Sequence, residues 1–172
     1  MSRLKVALDA VVSVSIVVAA VAITWVAYRQ YSAPRGPGKP LVPSPGTLIE
    51  IPGVKWADAR RSLIVVIKPG CPYCDESMPF YRKVLESRAP DRLRVLFVGP
   101  ANRDSLDGYL SQRGIASDPI QVPIRSLFAS ATPTIILVDT NGRVEKAWVG
   151  LLSVSRQCDV FTALNLSCPA AS

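Results

Sequence analysis

Three short apolar runs constrain the fold of this 172-residue chain more than any other feature. They cover residues 63–67, 93–98 and 134–138, and Val, Ile and Leu dominate each of them. The runs do not alternate between apolar and polar residues, so they predict strands that are buried on both faces of a sheet. A shorter strand is predicted over residues 47–51. The sequence therefore requires a sheet that is covered on both sides.

The segments between these runs predict helices and a hairpin. Helical spacing indicates three helices, over residues 72–87, 103–113 and 153–165. Asn141-Gly142 is a strong hairpin signal, and an alternating strand follows it over residues 143–149. The order is strand, helix, strand, helix, hairpin and helix. That order predicts an α/β sandwich whose mixed sheet is parallel in its first half and antiparallel in its second.

The first 46 residues have the composition of a membrane anchor and a spacer. Residues 10–27 carry no formal charge and are just long enough to cross a bilayer, whereas residues 32–46 contain five prolines and three glycines. A cleaved secretory signal is the alternative, and either kind of segment would export the rest of the chain. We predict four parts: a short N-terminal tail over 1–9, a transmembrane signal-anchor helix over 10–28, a Pro/Gly-rich tether over 29–46 and a folded domain over 47–172.

Charge and residue usage exclude several classes of function. The formal net charge is +7, but residues 1–46 hold five basic residues against one acidic, which leaves the domain only mildly basic. We therefore expect no nucleic-acid partner. The chain has no histidine. This excludes Ser-His-Asp and Cys-His catalysis, and it weakens most metal sites, so we expect no bound metal.

Cys71-Pro-Tyr-Cys74 lies where a buried strand gives way to a helix. Two intervening residues at a helix start bring both sulfurs within disulfide distance, and the helix dipole favours a thiolate at the first of them. Pro72 suits the first helical turn because it has no N–H to lose. Cys71 is the candidate attacking thiolate and Cys74 the resolving thiol of a redox-active disulfide that needs no other cofactor. A structural disulfide and half of a zinc site are the alternatives.

Two segments resemble the thioredoxin superfamily. They are Cys71-Pro-Tyr-Cys-Asp-Glu-Ser-Met-Pro79 and Ala131-Thr-Pro-Thr-Ile-Ile-Leu-Val-Asp-Thr-Asn-Gly142. Together with the anchor and the tether, they resemble the bacterial membrane-tethered TlpA-type branch of thiol-disulfide oxidoreductases. The resemblance covers about residues 47–165. It implies a thioredoxin-like three-layer α/β sandwich with a mixed central sheet, preceded by one N-terminal transmembrane helix.

The resemblance also implies a substrate-binding loop. Pro133 would be a cis-proline opposite the two cysteines, and Thr132 would present its backbone to an extended peptide. An ordinary trans proline at the start of a strand is the alternative. Pro79 would kink the active-site helix, unless the helix ends there.

Four residues close to Cys71 in the sequence are candidates for redox tuning. They are Lys68, Pro72, Tyr73 and Glu76. Pro-Tyr is the dipeptide usual in glutaredoxins, and the dipeptide influences the potential in this superfamily, so the direction of electron flow stays open. Lys68 would stabilise the thiolate, or it is simply a solvated lysine at the end of a strand.

Cys158 and Cys168 form a second pair. Ten positions of continuous helix would separate them by about 15 Å, so a bridge requires the chain to reverse after roughly Asn165. We predict a structural disulfide, because an even number of cysteines in an exported domain is expected to pair. Two free thiols are the alternative.

The expected function is thiol-disulfide exchange with cysteine-containing exported proteins, which the resemblance extends to cytochrome c maturation. The chain would be a single-pass protein of the bacterial inner membrane with a periplasmic catalytic domain and a membrane electron-donor partner. A glutaredoxin-like glutathione-dependent reductase, a copper-binding assembly factor and a non-catalytic peptide-binding module are the alternatives. The copper factors resemble this chain in outline, but they space their cysteines by three residues and add a histidine ligand.

Overall fold

The computed structural model describes residues 19–25 and 41–168. The chain divides into two compact units, Met1–Gly38 and Lys39–Ser172. In the first unit only residues 19–25 are described, and they are helical. Most of the predicted transmembrane segment over 10–28 therefore lies outside the described residues, as does the tail over 1–9. No helix within the described ranges is both long enough and apolar enough to cross a membrane.

The second unit is built on a five-stranded sheet, and the sheet is mixed, as the sequence predicts. The strands are β1 (Arg61–Val66), β2 (Leu93–Gly99), β3 (Ile120–Gln121), β4 (Thr134–Val138) and β5 (Val144–Val149). Their order across the sheet is β3-β2-β1-β4-β5. β1, β2 and β3 run parallel, whereas β4 is antiparallel to both β1 and β5. The parallel first half and the antiparallel second half are both confirmed.

Three α-helices cover one face of the sheet. They are α1 (Pro72–Ser87), α2 (Arg103–Ser111) and α3 (Val154–Ala163). Phe80 of α1, Leu106 of α2 and Phe161 of α3 share one core cluster with Leu63 and Val65 of β1. The two parallel crossovers advance in the same direction across the sheet, and right-handed crossovers then place α1 and α2 on the same face.

The opposite face of the sheet is covered by segments that are not α-helices. Ile64 and Val66 of β1 pack there with Ile49, Val122 and Leu127. These last three lie in extended chain or in a short 3₁₀ turn over Ile124–Leu127. The third layer of the expected sandwich is therefore made of irregular segments, because in the described domain all three helices lie on the other side.

Two local expectations differ from the structure. Residues 47–51 do not form a strand of the sheet: Leu48 makes only an isolated bridge to Arg143, because this segment lies at the hairpin end as extended chain. The two-residue strand β3 lies between the predicted helix over 103–113 and the predicted strand over 134–138, where the sequence predicts no element. It is too short to produce a hydrophobic pattern of its own.

The hairpin and the C-terminal reversal follow the sequence closely. The Asp139 carboxylate accepts hydrogen bonds from the backbone N–H of Asn141 (2.8 Å) and Arg143 (2.9 Å). Gly142 has φ +76°, and a side chain there would collide with the indole of Trp56. Beyond α3 the chain reverses at Asn165, whose φ is 57°, and Cys158 and Cys168 form the predicted disulfide across 5.0 Å between Cα atoms.

Candidate active site

Cys71 lies at the N-terminal end of α1. It is the N-cap residue with extended backbone, Pro72 occupies the first turn, and the Cys71 carbonyl accepts from the backbone N–H of Cys74 (3.0 Å) and Asp75 (3.2 Å). Gly70, at φ +76°, turns the chain from the sheet into the helix. The Cys71 side chain is half-buried, so this residue is partly exposed to solvent. This is the strand-to-helix position that the sequence predicts.

The loop before β4 meets the Cys71 sulfur. The Thr132–Pro133 peptide bond is cis, as predicted. The Cys71 thiol donates to the Thr132 carbonyl oxygen at 3.4 Å, and the Thr132 hydroxyl donates to the Cys71 sulfur, also at 3.4 Å. Pro133 itself is buried, and its carbonyl oxygen accepts from the Gly150 N–H at 2.8 Å. The resemblance gives Thr132 only a backbone role toward the substrate, whereas in the structure its side-chain hydroxyl also contacts the nucleophile.

The environment of Cys71 favours its thiolate. Partial burial raises its pKa, but hydrogen bonds from the Thr132 hydroxyl, the Cys74 thiol and the backbone N–H groups of Cys74 and Tyr73 outweigh that effect. The net result is a pKa below the ordinary value of a cysteine. A thiol with these contacts is a nucleophile at lower pH than a free cysteine.

Cys74 has the opposite environment. Its side chain is fully buried, and both cysteines are free thiols here. Burial, followed by the hydrogen bond to Cys71, raises the pKa of Cys74 to about 12, although the Lys68 backbone and the Thr132 side chain act in the other direction. One accessible thiol with a lowered pKa therefore lies beside a buried thiol with a raised one.

The candidate tuning residues are placed differently from one another. Lys68 contributes through its backbone, because its carbonyl accepts from the Cys71 N–H at 3.2 Å while its side chain is exposed. Tyr73 contributes a backbone N–H, and its ring is exposed. Glu76 is also exposed. The structure thus brings backbone groups to Cys71 where the sequence suggests charged side chains.

A second network joins the start of α1 to the end of α2. The Asp75 carboxylate accepts from the Tyr109 hydroxyl and from the Arg113 guanidinium, both at 2.7 Å. Arg113 also lies 3.8 Å from the centre of the Tyr109 ring. The hydrogen bonds from Tyr109 and then Arg113 hold the pKa of Asp75 below its usual range. Sequence reasoning missed this network, whose one signal is the i, i+4 spacing of Tyr109 and Arg113.

Two buried hydroxyl groups lie deeper in α1. Ser77 donates to the Tyr73 carbonyl oxygen at 2.7 Å, and the Tyr81 hydroxyl makes no hydrogen bond to any residue the structure describes. Burial raises the pKa of Tyr81. Within the same described ranges no group of three or more metal-ligating side chains comes together.

Comparison with known proteins concerns the fold. No protein-family model matches the sequence, and no curated protein matches it. Solved structures do match. A thiol-disulfide isomerase from Corynebacterium glutamicum gives a TM-score of 0.56 at 16% identity, covering 74% of this chain and 96% of its own. The thioredoxin domain of a thiol-disulfide oxidoreductase from Bacteroides vulgatus gives 0.57 at 14% identity, covering 72% and 99%. The chain has the thioredoxin-like fold.

A third thioredoxin-like structure is similar to the same extent. It is a thiol:disulfide interchange protein of the thioredoxin family from Chlorobium tepidum, with a TM-score of 0.54 at 16% identity over 72% of this chain and 96% of its own. The thioredoxin-like fold here brings the N-terminal end of α1 against the loop before β4. Cys71, Cys74, Thr132 and Pro133 meet at that junction.

Proposed function

We propose that this chain is a thiol-disulfide oxidoreductase that exchanges disulfides with cysteine-containing exported proteins through Cys71 and Cys74. The observation that carries the proposal is the asymmetry of the two thiols. Cys71 is accessible, with its pKa lowered, whereas Cys74 is buried, with its pKa raised to about 12. One thiol is thus prepared to attack a substrate, and the other remains protonated until a mixed disulfide lies next to it.

The exchange proceeds in two balanced steps. The Cys71 thiolate attacks one sulfur of a substrate disulfide, forms a Cys71–substrate mixed disulfide and releases the other substrate sulfur as a thiolate, which takes up a proton. Cys74 then loses its proton and attacks the Cys71 sulfur, which releases the second substrate thiolate. The substrate gains two electrons, and Cys71 and Cys74 end as a disulfide. A reductant must then restore the dithiol, and the reverse sequence oxidises a client.

The client lies as extended chain along Thr132. Pro133 and Gly150 hold this loop in place through the hydrogen bond between them, and Leu151, the next residue, is 42% exposed. Tyr73, between the cysteines, is 56% exposed. An exposed apolar side chain next to Gly150 and another between the two cysteines suit a client whose cysteine has apolar neighbours. Apocytochromes c are the exported clients that we infer from the sequence resemblance.

The N-terminal segment over 10–28 holds the domain at the outer face of the bacterial cell membrane. The uncharged apolar run of the sequence supports this part of the proposal, and so does the Cys158–Cys168 disulfide, because structural disulfides persist in oxidising compartments. A membrane protein that carries reducing equivalents is the electron donor consistent with that location.

Reduction of insulin by the purified chain tests the activity. We expect the wild-type chain to catalyse it with dithiothreitol as the reductant, and we expect Cys71→Ser to abolish it. The Cys158→Ser/Cys168→Ser variant is the matched control, because it removes two cysteines outside the site and should keep the activity. Full activity in Cys71→Ser would refute the proposed nucleophile.

Two further measurements separate the alternatives. The reduction potential of the Cys71–Cys74 pair shows the direction in which electrons flow between the chain and its client. A value of about −270 mV indicates that the chain reduces the client, and a value of about −120 mV indicates that it oxidises the client. Reduction of the oxidised chain by glutathione alone would favour the glutaredoxin-like alternative, for which the Pro72-Tyr73 dipeptide is the supporting feature.

A further inference from the structure

Residues 41–46, which the sequence assigns to the tether, are bound to the folded domain. The Leu41 N–H donates to the Ser130 hydroxyl oxygen at 2.7 Å, and the Ser130 N–H donates to the Leu41 carbonyl oxygen at 3.2 Å. Pro43 is buried, and the Gly46 N–H donates to the Val144 carbonyl oxygen at 2.7 Å. The last six residues of the predicted tether are therefore part of the domain surface.

The partner of Leu41 belongs to the loop that contacts the nucleophile. Ser130 precedes Thr132 by two residues, and Thr132 meets the Cys71 sulfur with both its carbonyl oxygen and its hydroxyl at 3.4 Å. On the far side of Thr132, the loop is held by the hydrogen bond from Gly150 to Pro133. On the near side, Ser130 is held by Leu41. The hydrogen bond from the Thr132 hydroxyl to the Cys71 sulfur depends on where the loop holds Thr132, because a hydrogen bond weakens as its donor moves out of line with the acceptor.

We propose that Leu41 and Ser130 are positioning residues of the active site: the end of the tether braces the Thr132 loop against Cys71. This proposal rests on the proposed thiol-disulfide exchange. Within the described residues, the hydrogen bonds of Leu41 and Ser130 join these two residues to each other, and the hydrogen bonds between the Cys71 sulfur and the Thr132 loop are those made by Thr132 itself, so the brace acts through Thr132. The tether is then more than a spacer, because its attachment to the domain determines how well Thr132 stabilises the Cys71 thiolate.

The pKa of Cys71 in the purified full chain tests the brace. It is obtained from the pH dependence of alkylation of the reduced protein, in which Cys74 does not interfere because its pKa is about 12. Ser130→Ala removes the acceptor of the Leu41 N–H, and Leu41→Pro removes the donor. For each variant we expect a higher pKa of Cys71 and about two- to tenfold less thiolate at neutral pH, the equivalent of one hydrogen bond.

Two matched variants show whether the change in the pKa of Cys71 comes from the loss of the Ser130 hydroxyl in particular. Ser126→Ala removes another exposed serine hydroxyl, four residues before Ser130 in the sequence, which donates to the Pro123 carbonyl oxygen at 2.7 Å. It should leave the pKa of Cys71 unchanged. Ser130→Thr keeps the hydroxyl and should restore most of the wild-type value.

A double-mutant cycle tests whether Ser130 affects the pKa of Cys71 through Thr132. Thr132→Val should raise the pKa of Cys71 by itself, and adding Ser130→Ala to it should cause no further rise. An unchanged pKa in both Ser130→Ala and Leu41→Pro would overturn the brace, and so would additive effects in the cycle. Because this titration needs no substrate, its result is independent of the insulin assay that tests the proposed function.

Discussion

The Thr132 side chain has a more direct role in this structure than its sequence context indicates. Its hydroxyl donates to the Cys71 sulfur, and this is the first of the hydrogen bonds that lower the pKa of that thiol against the effect of burial. Such a contact favours the charged form of the sulfur because it is made more strongly to a thiolate than to a thiol.

Thr132→Val should therefore shift the pH dependence of exchange. Valine keeps the shape of threonine and removes the donor, so the pKa of Cys71 should rise. The thiolate fraction increases as pH rises through the pKa, which means that the rate–pH profile should move to higher pH, with about a two- to tenfold loss of rate at neutral pH. Rates of mixed-disulfide formation from pH 5 to pH 9, roughly the range in which cysteine thiols titrate, measure the shift. An unchanged profile would contradict the assigned contact.

At this scale the sequence indicates the cysteines and the cis-proline, but not their hydrogen bonds. Cys71 and Cys74 are recognisable because their spacing and their place before a helix are local properties of the chain. The contact from Thr132 spans 61 positions, and its geometry depends on how β4 enters the sheet. Lys68 shows the converse, because its nearness in sequence suggests a side-chain role that its exposed position does not support.

The hydrogen-bonded network of Asp75, Tyr109 and Arg113 connects two helices. It ties the first turn of α1, just after Cys74, to the C-terminal end of α2. The Asp75 side chain is 43% exposed, so its ion pair with Arg113 adds little by itself. The hydrogen bond from the Tyr109 hydroxyl is better sheltered, since Tyr109 is only 6% exposed.

Tyr109→Phe should lower the free energy of unfolding by about 1 kcal/mol, because one sheltered hydrogen bond to a charged group is lost while the ring stays in place. Urea denaturation measures the change. Tyr73→Phe is the matched control, since Tyr73 is exposed and its hydroxyl should contribute nothing to stability. Equal stability of the wild type and Tyr109→Phe would show that the network does not hold the two helices together.

Long elements were predictable and short ones were not. The runs that became β1, β2 and β4 are mostly apolar, because both faces of the central sheet are covered. β3 has two residues, which is too few for a pattern. Residues 47–51 are apolar enough to suggest a strand, yet their apolar side chains cover the sheet instead of extending it: Ile49 and Ile51 are buried against it.

For the whole molecule, the Cys158–Cys168 disulfide fastens the C-terminal reversal to α3. Closing a loop of ten residues should add about 2–3 kcal/mol to the free energy of unfolding, because the bridge lowers the conformational entropy of the unfolded chain. We therefore expect Cys158→Ser/Cys168→Ser to lower the free energy of unfolding by that amount. Urea denaturation of the oxidised protein measures it. A loss of less than about 0.5 kcal/mol would mean that the bridge has no structural role.

The mixed sheet was predictable from the order of the helices and strands, but the side of the sheet that each helix covers was not. The resemblance implies a three-layer sandwich without saying which layer each helix joins, and α1, α2 and α3 all contribute to one core cluster. The common side of α1 and α2 depends on β3, whose edge position beyond β2 keeps the second crossover on the same side as the first. An element too short to see in the sequence thus decides where a helix lies.

Trapping of the mixed disulfide tests the central claim most directly. The Cys74→Ser chain, incubated with an oxidised protein substrate and quenched with acid, should accumulate a covalent adduct that dithiothreitol removes and that mass spectrometry assigns to Cys71. The wild-type chain should accumulate little, because Cys74 resolves the adduct. The Cys71→Ser chain should form none. An adduct through Cys74 in Cys71→Ser at a rate similar to that of Cys74→Ser, or no adduct in Cys74→Ser, would contradict the assignment of nucleophile and resolving thiol.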